Sequence, residues 1–267
     1  MQKLIKRRPF GALAILALSA LALAGVAAAA TTVVVTQNST SWAPMDTRTS
    51  GAHDFTEEYD APAGLGAGSL ELTTAALDTA AKADYWTRET AGTLLADVTD
   101  LSYWTYQAVT PQPPHAAVSY QLQLDGNGAA PGGFTTIVYE PYQNGAIVPG
   151  TWQQWDVDSG LSWSTRTGEC GLVAGAGGPA IYTLAALQAA CPDAVVLGLG
   201  VNVGTFNPGY TVATDGVQFN ETTYDFEVGR TPATKDDCKD GGWMTFNDPA
   251  FKNQGECVSW VNQRDAA

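Results

Sequence analysis

Positive charge is scarce in this chain and histidine scarcer: 13 Lys and Arg stand against 27 Asp and Glu, with two histidines. A net charge of −14 repels phosphate backbones and argues against nucleic acid as a partner. Its commoner consequence is solubility and weak self-association. A histidine-based nucleophilic triad lacks its parts. His115 follows the stiff Pro113-Pro114, His53 sits in an irregular stretch, and no G-x-S-x-G occurs, so both read as surface histidines. Closely spaced C-x₂₋₄-C zinc ligands and a redox C-x-x-C are absent too. The run GLVAGAGGPA has no Lys or Ser/Thr for a phosphate loop and reads as a flexible connection.

What is present begins with MQKLIKRRPF followed by GALAILALSALALAGVAAAA. Lys3, Lys6, Arg7 and Arg8 precede an apolar stretch ending in Ala27 to Ala30, the layout of a secretory signal peptide cleaved after Ala28 or Ala30. A retained anchor is the alternative, because the run approaches spanning length. Its Ala-rich character and small-residue end favour cleavage. Arg7-Arg8 echoes a twin-arginine signal, but such pairs are common in this region. No cysteine lies near the site for lipidation, and no second long apolar run follows. The expectation is a secreted, extracellular protein with no membrane association after cleavage. Residues 31–267 then carry nine bases against 27 acids, a net −18.

In AAVSYQLQLDGNG, Val118, Tyr120, Leu122 and Leu124 alternate with Ser119, Gln121 and Gln123, which predicts a strand with one buried and one polar face. Asp125-Gly126-Asn127-Gly128 ends it as a turn. Similar runs are SLELTT, LSYWTYQAV, TTIVYE, TWQQWDV, LSWST, VVLGLGVN, TVATDGVQF and TYDFEV. About ten strands between Gly, Pro, Asn and Asp turns predict a β-sandwich. One helix is expected at YTLAALQAACPD, capped by Thr183 and stopped by Pro192. The sandwich spans 31–229, with residues 31–62 wrapping an edge, and 230–267 form a linker and cysteine-loop tail.

The succession GSLELTT, LSYWTYQ, TTIVYEPYQNG, WQQWDVDSG, GVNVGTFNPG and DGVQFNETTYDFE resembles bacterial secreted jelly-roll proteins of the lectin or carbohydrate-module kind. The tail KDDCKDGGWMTFNDPAFKNQGECVSWV is similar to a C-terminal two-cysteine element of such proteins. The resemblance covers most of residues 31–267. It implies an all-β, jelly-roll-like antiparallel sandwich and an extracellular location, and it carries over no catalytic residue.

Cys170, Cys191, Cys238 and Cys257 make an even set, read as disulfides in an exported chain. Three connectivities are available. The local pairs Cys170–Cys191 and Cys238–Cys257 close two loops that fit the domain division, each contributing about 3 kcal/mol by loop entropy. Trp243, Phe246, Phe251 and Trp260 would give the tail a mini-core, the alternative being a ligand-binding finger.

No ligand set for a cofactor or metal is legible. Asp125-Gly126-Asn127-Gly128 shares letters with a calcium loop but lacks the downstream Glu, so a structural calcium between acidic loops stays an open alternative. For glycoside hydrolysis the strand-borne acids are Glu140 and Asp156, but no E-x-D-x-E strand motif occurs and isolated acids are usually solvated. Sugar recognition needs flat rings with amides and acids beside them. Trp104, Tyr106, Gln121, Gln123, Glu140, Tyr142, Trp152, Gln154 and Asp156 supply that vocabulary and would line a polar–aromatic groove if they converge on one sheet. The competing expectation is that about half are buried for packing. The reading is therefore a non-catalytic module binding polysaccharide or cell-surface glycan. A structural or adhesive protein and a glycoside hydrolase are the alternatives.

Overall fold

The computed structural model describes residues 30–109, 116–127, 133–167, 169–173, 175 and 177–266. The expected signal segment up to residue 29, His115, Gly128 of the predicted turn, and Ala174 and Ala176 of the Gly-rich connection lie outside the described residues.

Thirteen strands form two sheets of a jelly-roll-like sandwich among the described residues. The first sheet holds β1 (Thr31–Val35), β3 (Gly51–Thr56), β4 (Ser69–Thr74), β6 (Leu101–Val109), β9 (Gln153–Asp156), β12 (Thr211–Phe219) and β13 (Thr222–Phe226). The second has the order β10 (Ser162–Ser164), β8 (Phe134–Tyr139), β7 (Ser119–Asp125), β11 (Val195–Val203), β5 (Ala83–Thr87), β2 (Trp42–Ala43). Every pairing is antiparallel except β1 with β13, where the N-terminal segment lies parallel along an edge.

Period-two alternation sets the layers. Val118, Tyr120, Leu122 and Leu124 face the core, leaving Gln121 and Gln123 on the outer face of the second sheet. The inner aromatics interlock: Tyr103 packs 5.4 Å from Tyr120, and Trp42 meets Tyr224 and Phe226 edge-on at 5.1 Å. Their polar tips are satisfied, with Tyr103 Oη donating to Val118 O at 2.7 Å and Tyr120 Oη to Gln218 O at 2.8 Å. His53, expected at the surface, packs 5.0 Å from Tyr85.

The first sheet forks. One edge of β12 pairs with β6 along its length, while the other edge pairs first with β4 and then with β13. The handover falls at Asp215-Gly216, where Gly216 takes φ +56° and the β6 register shifts. Asp215 Oδ1 accepts from Gly216 N at 2.7 Å and Phe226 N at 2.8 Å, satisfying donors freed at the fork.

Three helices occur among the described residues where one was expected: α1 (Pro141–Asn144), α2 (Leu184–Ala190) and α3 (Gln254–Arg264). Thr183 Oγ1 caps α2 by accepting from Ala186 N at 3.2 Å. The tail contains α3, whose first turn is capped by the side chains of Asn253 and Glu256. Asn253 Oδ1 accepts from Glu256 N at 2.9 Å, and Glu256 Oε2 accepts from Lys252 N at 2.8 Å. Cys257 and Val261, one turn apart, point inward with Cys238 and Phe251, and Trp243, Phe246 and Trp260 pack around them. The disulfides join Cys170 to Cys191 and Cys238 to Cys257, with Cα atoms 5.2 Å and 5.8 Å apart. Asp248 ties the tail to the sandwich by accepting from Asn38 Nδ2 at 2.8 Å and from the Thr36 hydroxyl. No helix among the described residues is long and apolar enough to cross a membrane.

Candidate functional site

The outer face of the second sheet forms a groove of about 740 Å³. Its floor is built in cross-strand rows. In the central row Trp86 of β5 stands opposite Gly200 of β11, Gly200 opposite Gln121 of β7, Gln121 opposite Val138 of β8, and Val138 opposite Trp163 of β10. The glycine is required: a Cβ at position 200 would lie 2.2 Å from the Trp86 ring, so the indole lies down over bare backbone. In the next row Gly198 is opposite Gln123, and Gln123 opposite Thr136. Arg88 lies over Gly198 and donates to Gln123 Oε1 at 2.8 Å and Leu197 O at 2.6 Å. A bulge between Val196 and Gly198 produces this arrangement. It lets Val196 and Leu199 both reach the core while both glycines face the groove.

Two loops raise the rim. The 204–207 turn presents Phe206, 81% exposed, with φ +68° and its N–H bonded to Thr79 O at 2.8 Å. Across the groove, Tyr142 on α1 donates from its hydroxyl to Gly177 O at 3.1 Å. Arg48 and Lys82 complete one wall.

The charges at that wall are paired. Lys82 Nζ lies 2.9 Å from Asp46 Oδ2 and 3.4 Å from Asp84 Oδ2. Burial opposes ionisation of Asp84. Hydrogen bonds from Asp46 N, Trp86 Nε1 and Met45 N, with Lys82 nearby, nevertheless hold it below the usual carboxylate range. Glu140, half-buried at the end of β8, has no such support, and burial pushes its carboxyl up to about 8. Trp163 Nε1 and Asn202 Nδ2, both on groove-lining residues, are buried donors without a hydrogen-bond acceptor among the described residues. No group of three or more His, Cys, Asp or Glu among the described residues is placed to hold a metal ion.

Of the nine residues picked out in the sequence, Gln121, Gln123, Glu140 and Tyr142 line this groove. Trp104, Tyr106, Gln154 and Asp156 lie on the first sheet, Trp152 immediately before β9, so the nine do not share a sheet. On that face Tyr59 stacks on Tyr106 at 4.9 Å with the rings 23° apart, and Trp152 leans in at 5.5 Å from Tyr106. Trp152 Nε1 donates to Tyr59 O at 3.0 Å and Asp60 O at 3.1 Å, and Tyr59 Oη bonds Glu71. The cluster fastens the loop before β4. Asp156 shares a hydrogen bond with Asp158, which holds Asp156 low, while Asp158 is pushed up to about 6 by burial and by that bond.

Sequence reasoning passed over Trp86, Trp163, Asn202, Phe206 and Arg88. The available signal was the G-x-G inside VVLGLGVN: alternate glycines in a strand clear one face for something large to lie on.

No family model matches the chain, and no curated protein matches it. Among solved structures it is similar to a family 11 carbohydrate-binding module from Clostridium thermocellum, in complex with a β-1,3-1,4-mixed-linked tetrasaccharide. The TM-score is 0.37 at 10% identity, covering 68% of this chain and 90% of that one. At that level the likeness carries no argument about a ligand.

Proposed function

We propose that the protein is an exported, non-catalytic carbohydrate-binding module whose groove on the β5–β11–β7–β8–β10 sheet takes a polysaccharide or cell-surface glycan chain. The observation that carries this reading is the central row. Two indoles, an amide and a glycine floor run across five strands. A sugar polymer offers apolar ring faces to the groove's aromatics and hydroxyl groups to the Gln121 amide. An open groove suits a chain passing through it better than a compact ligand. In this reading Gln121, Gln123, Glu140 and Tyr142 contact ligand, whereas Trp104, Tyr106, Trp152, Gln154 and Asp156 do not.

Affinity electrophoresis of residues 31–267 in gels containing a panel of soluble polysaccharides tests it. Retardation by at least one polymer is expected, weakened about tenfold by Gln121→Ala, a loss of about 1.4 kcal/mol, and untouched by Gln154→Ala on the opposite sheet. Retardation abolished by Gln154→Ala instead would move the site to the other face. Migration unaffected by every polymer would leave a structural surface protein.

A further inference from the structure

We propose that the groove's ligand is an anionic polysaccharide, one carrying carboxylate or sulfate groups at regular intervals along its chain. This rests on the glycan-binding reading above. Residues 31–229 contain 21 acids and only four bases, Arg48, Lys82, Arg88 and Arg166. All four gather at one face. Arg48 and Lys82 line the groove, and Arg88 grips its floor through Gln123. Arg166 follows groove-lining Thr165, whose N–H bonds Thr136 O at 2.9 Å, and places its guanidinium 5.8 Å from the Phe134 ring centroid.

Arg48 and Lys82 are balanced by Asp46 and Asp84. Arg88 and Arg166 are different: both are exposed, and neither has a carboxylate partner among the described residues. They stand at opposite ends of one row, Arg88 over Gly198 at the β5 side and Arg166 just past Thr165 at the β10 side, with Gln123 and Thr136 between. The two guanidiniums are held at separate places on this face, Arg88's over Gly198 and Gln123 and Arg166's beside the Phe134 ring. A chain carrying anionic groups in series can engage both, and a guanidinium's planar fork matches a carboxylate or sulfate. Glu140, the groove acid without a cation, is raised to about 8 by burial, which favours its neutral form at neutral pH and weakens its opposition to such a chain.

The experiment is retention of residues 31–267 on beads bearing alginate or polygalacturonate, each beside its carboxyl-reduced counterpart, and dextran sulfate beside dextran. The protein's net charge works against any general ion exchange, so retention reports the local patch. The expected result is retention on an anionic polymer about tenfold stronger than on its neutral counterpart, falling as salt is raised. A uronate preference identifies the carboxylate and a dextran sulfate preference the sulfate. The double variant Arg88→Gln/Arg166→Gln is expected to cut that retention about tenfold and to remain folded with a cooperative unfolding transition, its Tm lowered only by the loss of the Arg88 hydrogen bonds to Gln123 and Leu197. Equal or stronger retention on neutral counterparts would overturn the anionic inference and leave the glycan reading standing. Wild-type retention by the double variant would also overturn it. Retention on no polymer would sink both.

Discussion

On the first sheet Tyr59 covers Tyr106 and Trp152 turns its N–H back onto the loop carrying Tyr59, whereas on the second sheet Trp86 and Trp163 lie flush in a groove floor, the latter with its N–H unpaired among the described residues. Both faces hold tyrosine, tryptophan, amides and acids. What separates them is the stretch from residue 57 to 68, which folds over the first sheet. Its Gly66 N–H bonds Asp225 and its Gly68 N–H bonds Glu227, both in close quarters where a Cβ would collide with Glu227. Most polar groups named on that face are thus answered by the chain itself, although Ser69 Oγ and Asp215 Oδ2 are buried there without a partner among the described residues. A site therefore cannot be read from residue types on a sheet. It depends on whether the protein's own loops have already supplied the partners.

The largest expected effect concerns the acid on each face that the chain answers worst. Burial pushes Asp215, under the closed face, up to about 8 despite its two backbone donors, with Asp225 and Glu227 adding repulsion. Glu140, in the groove, is raised to about 8 by burial alone. Unfolded, both would ionise near pH 4. Between about pH 4 and about pH 8 the native state therefore holds more protons than the unfolded one, and stability falls as pH rises. The slope is up to about 1.4 kcal/mol per pH unit for each group, levelling off above the folded value. Asp158, Asp225 and Glu227, also raised, act in the same direction. Urea unfolding at a series of pH values should show this decline, and Asp215→Asn and Glu140→Gln should each flatten it. A bound glycan should alter the share belonging to Glu140 and leave that of Asp215 alone. Stability that climbs across the window would contradict both assignments.

Next in size is the response to removing one indole from each face. Trp86→Ala takes a buried ring off Gly200 and removes a donor to Asp84, which should cost about 3–5 kcal/mol and abolish glycan binding together. Trp152→Ala removes a half-buried ring and two hydrogen bonds to the loop, at a cost of about 1–2 kcal/mol with binding intact. Chemical denaturation and polysaccharide retention on the same samples separate the two. Loss of binding in the Trp152 variant would erase the distinction between the faces.

The alternation that predicted β7 works because each of its residues is either core or floor, with no third environment. The same logic located β4, β6, β8 and β12 and the Thr183-capped helix, and the resemblance pointed to the sandwich class. Three things lay beyond it. Helix α3 depends on an Asn253–Glu256 cap whose meaning is hidden among the three glycines and one proline of a short disulfide loop. The division of the nine candidate residues between sheets depends on strand order, since β6 and β9 pair with each other and β7 and β8 pair elsewhere. The floor tryptophans belong to strands too short, at five and three residues, to show which side each ring takes. Burial of a Trp along a strand does not say whether it faces the core or a groove.

The smallest expected effect on stability, and the sharpest on the comparison, comes from Phe206. Its ring is 81% exposed and packs against nothing that folding requires, yet its backbone is held at φ +68°, where a bulky residue is strained. Selection for stability alone would place glycine there. Phe206→Ala should therefore change the unfolding free energy by less than about 0.5 kcal/mol, and Phe206→Gly should raise it by about 1 kcal/mol. Both should weaken polysaccharide retention about tenfold, because the ring closes the groove rim over a bound chain. On the closed face Tyr59, Tyr106 and Trp152 each have partners in the protein, so substituting them should not stabilise the fold and weaken binding at once. If Phe206→Gly stabilises the protein and leaves retention unchanged, the rim has no part in binding, and the groove would have to hold its ligand by the floor alone.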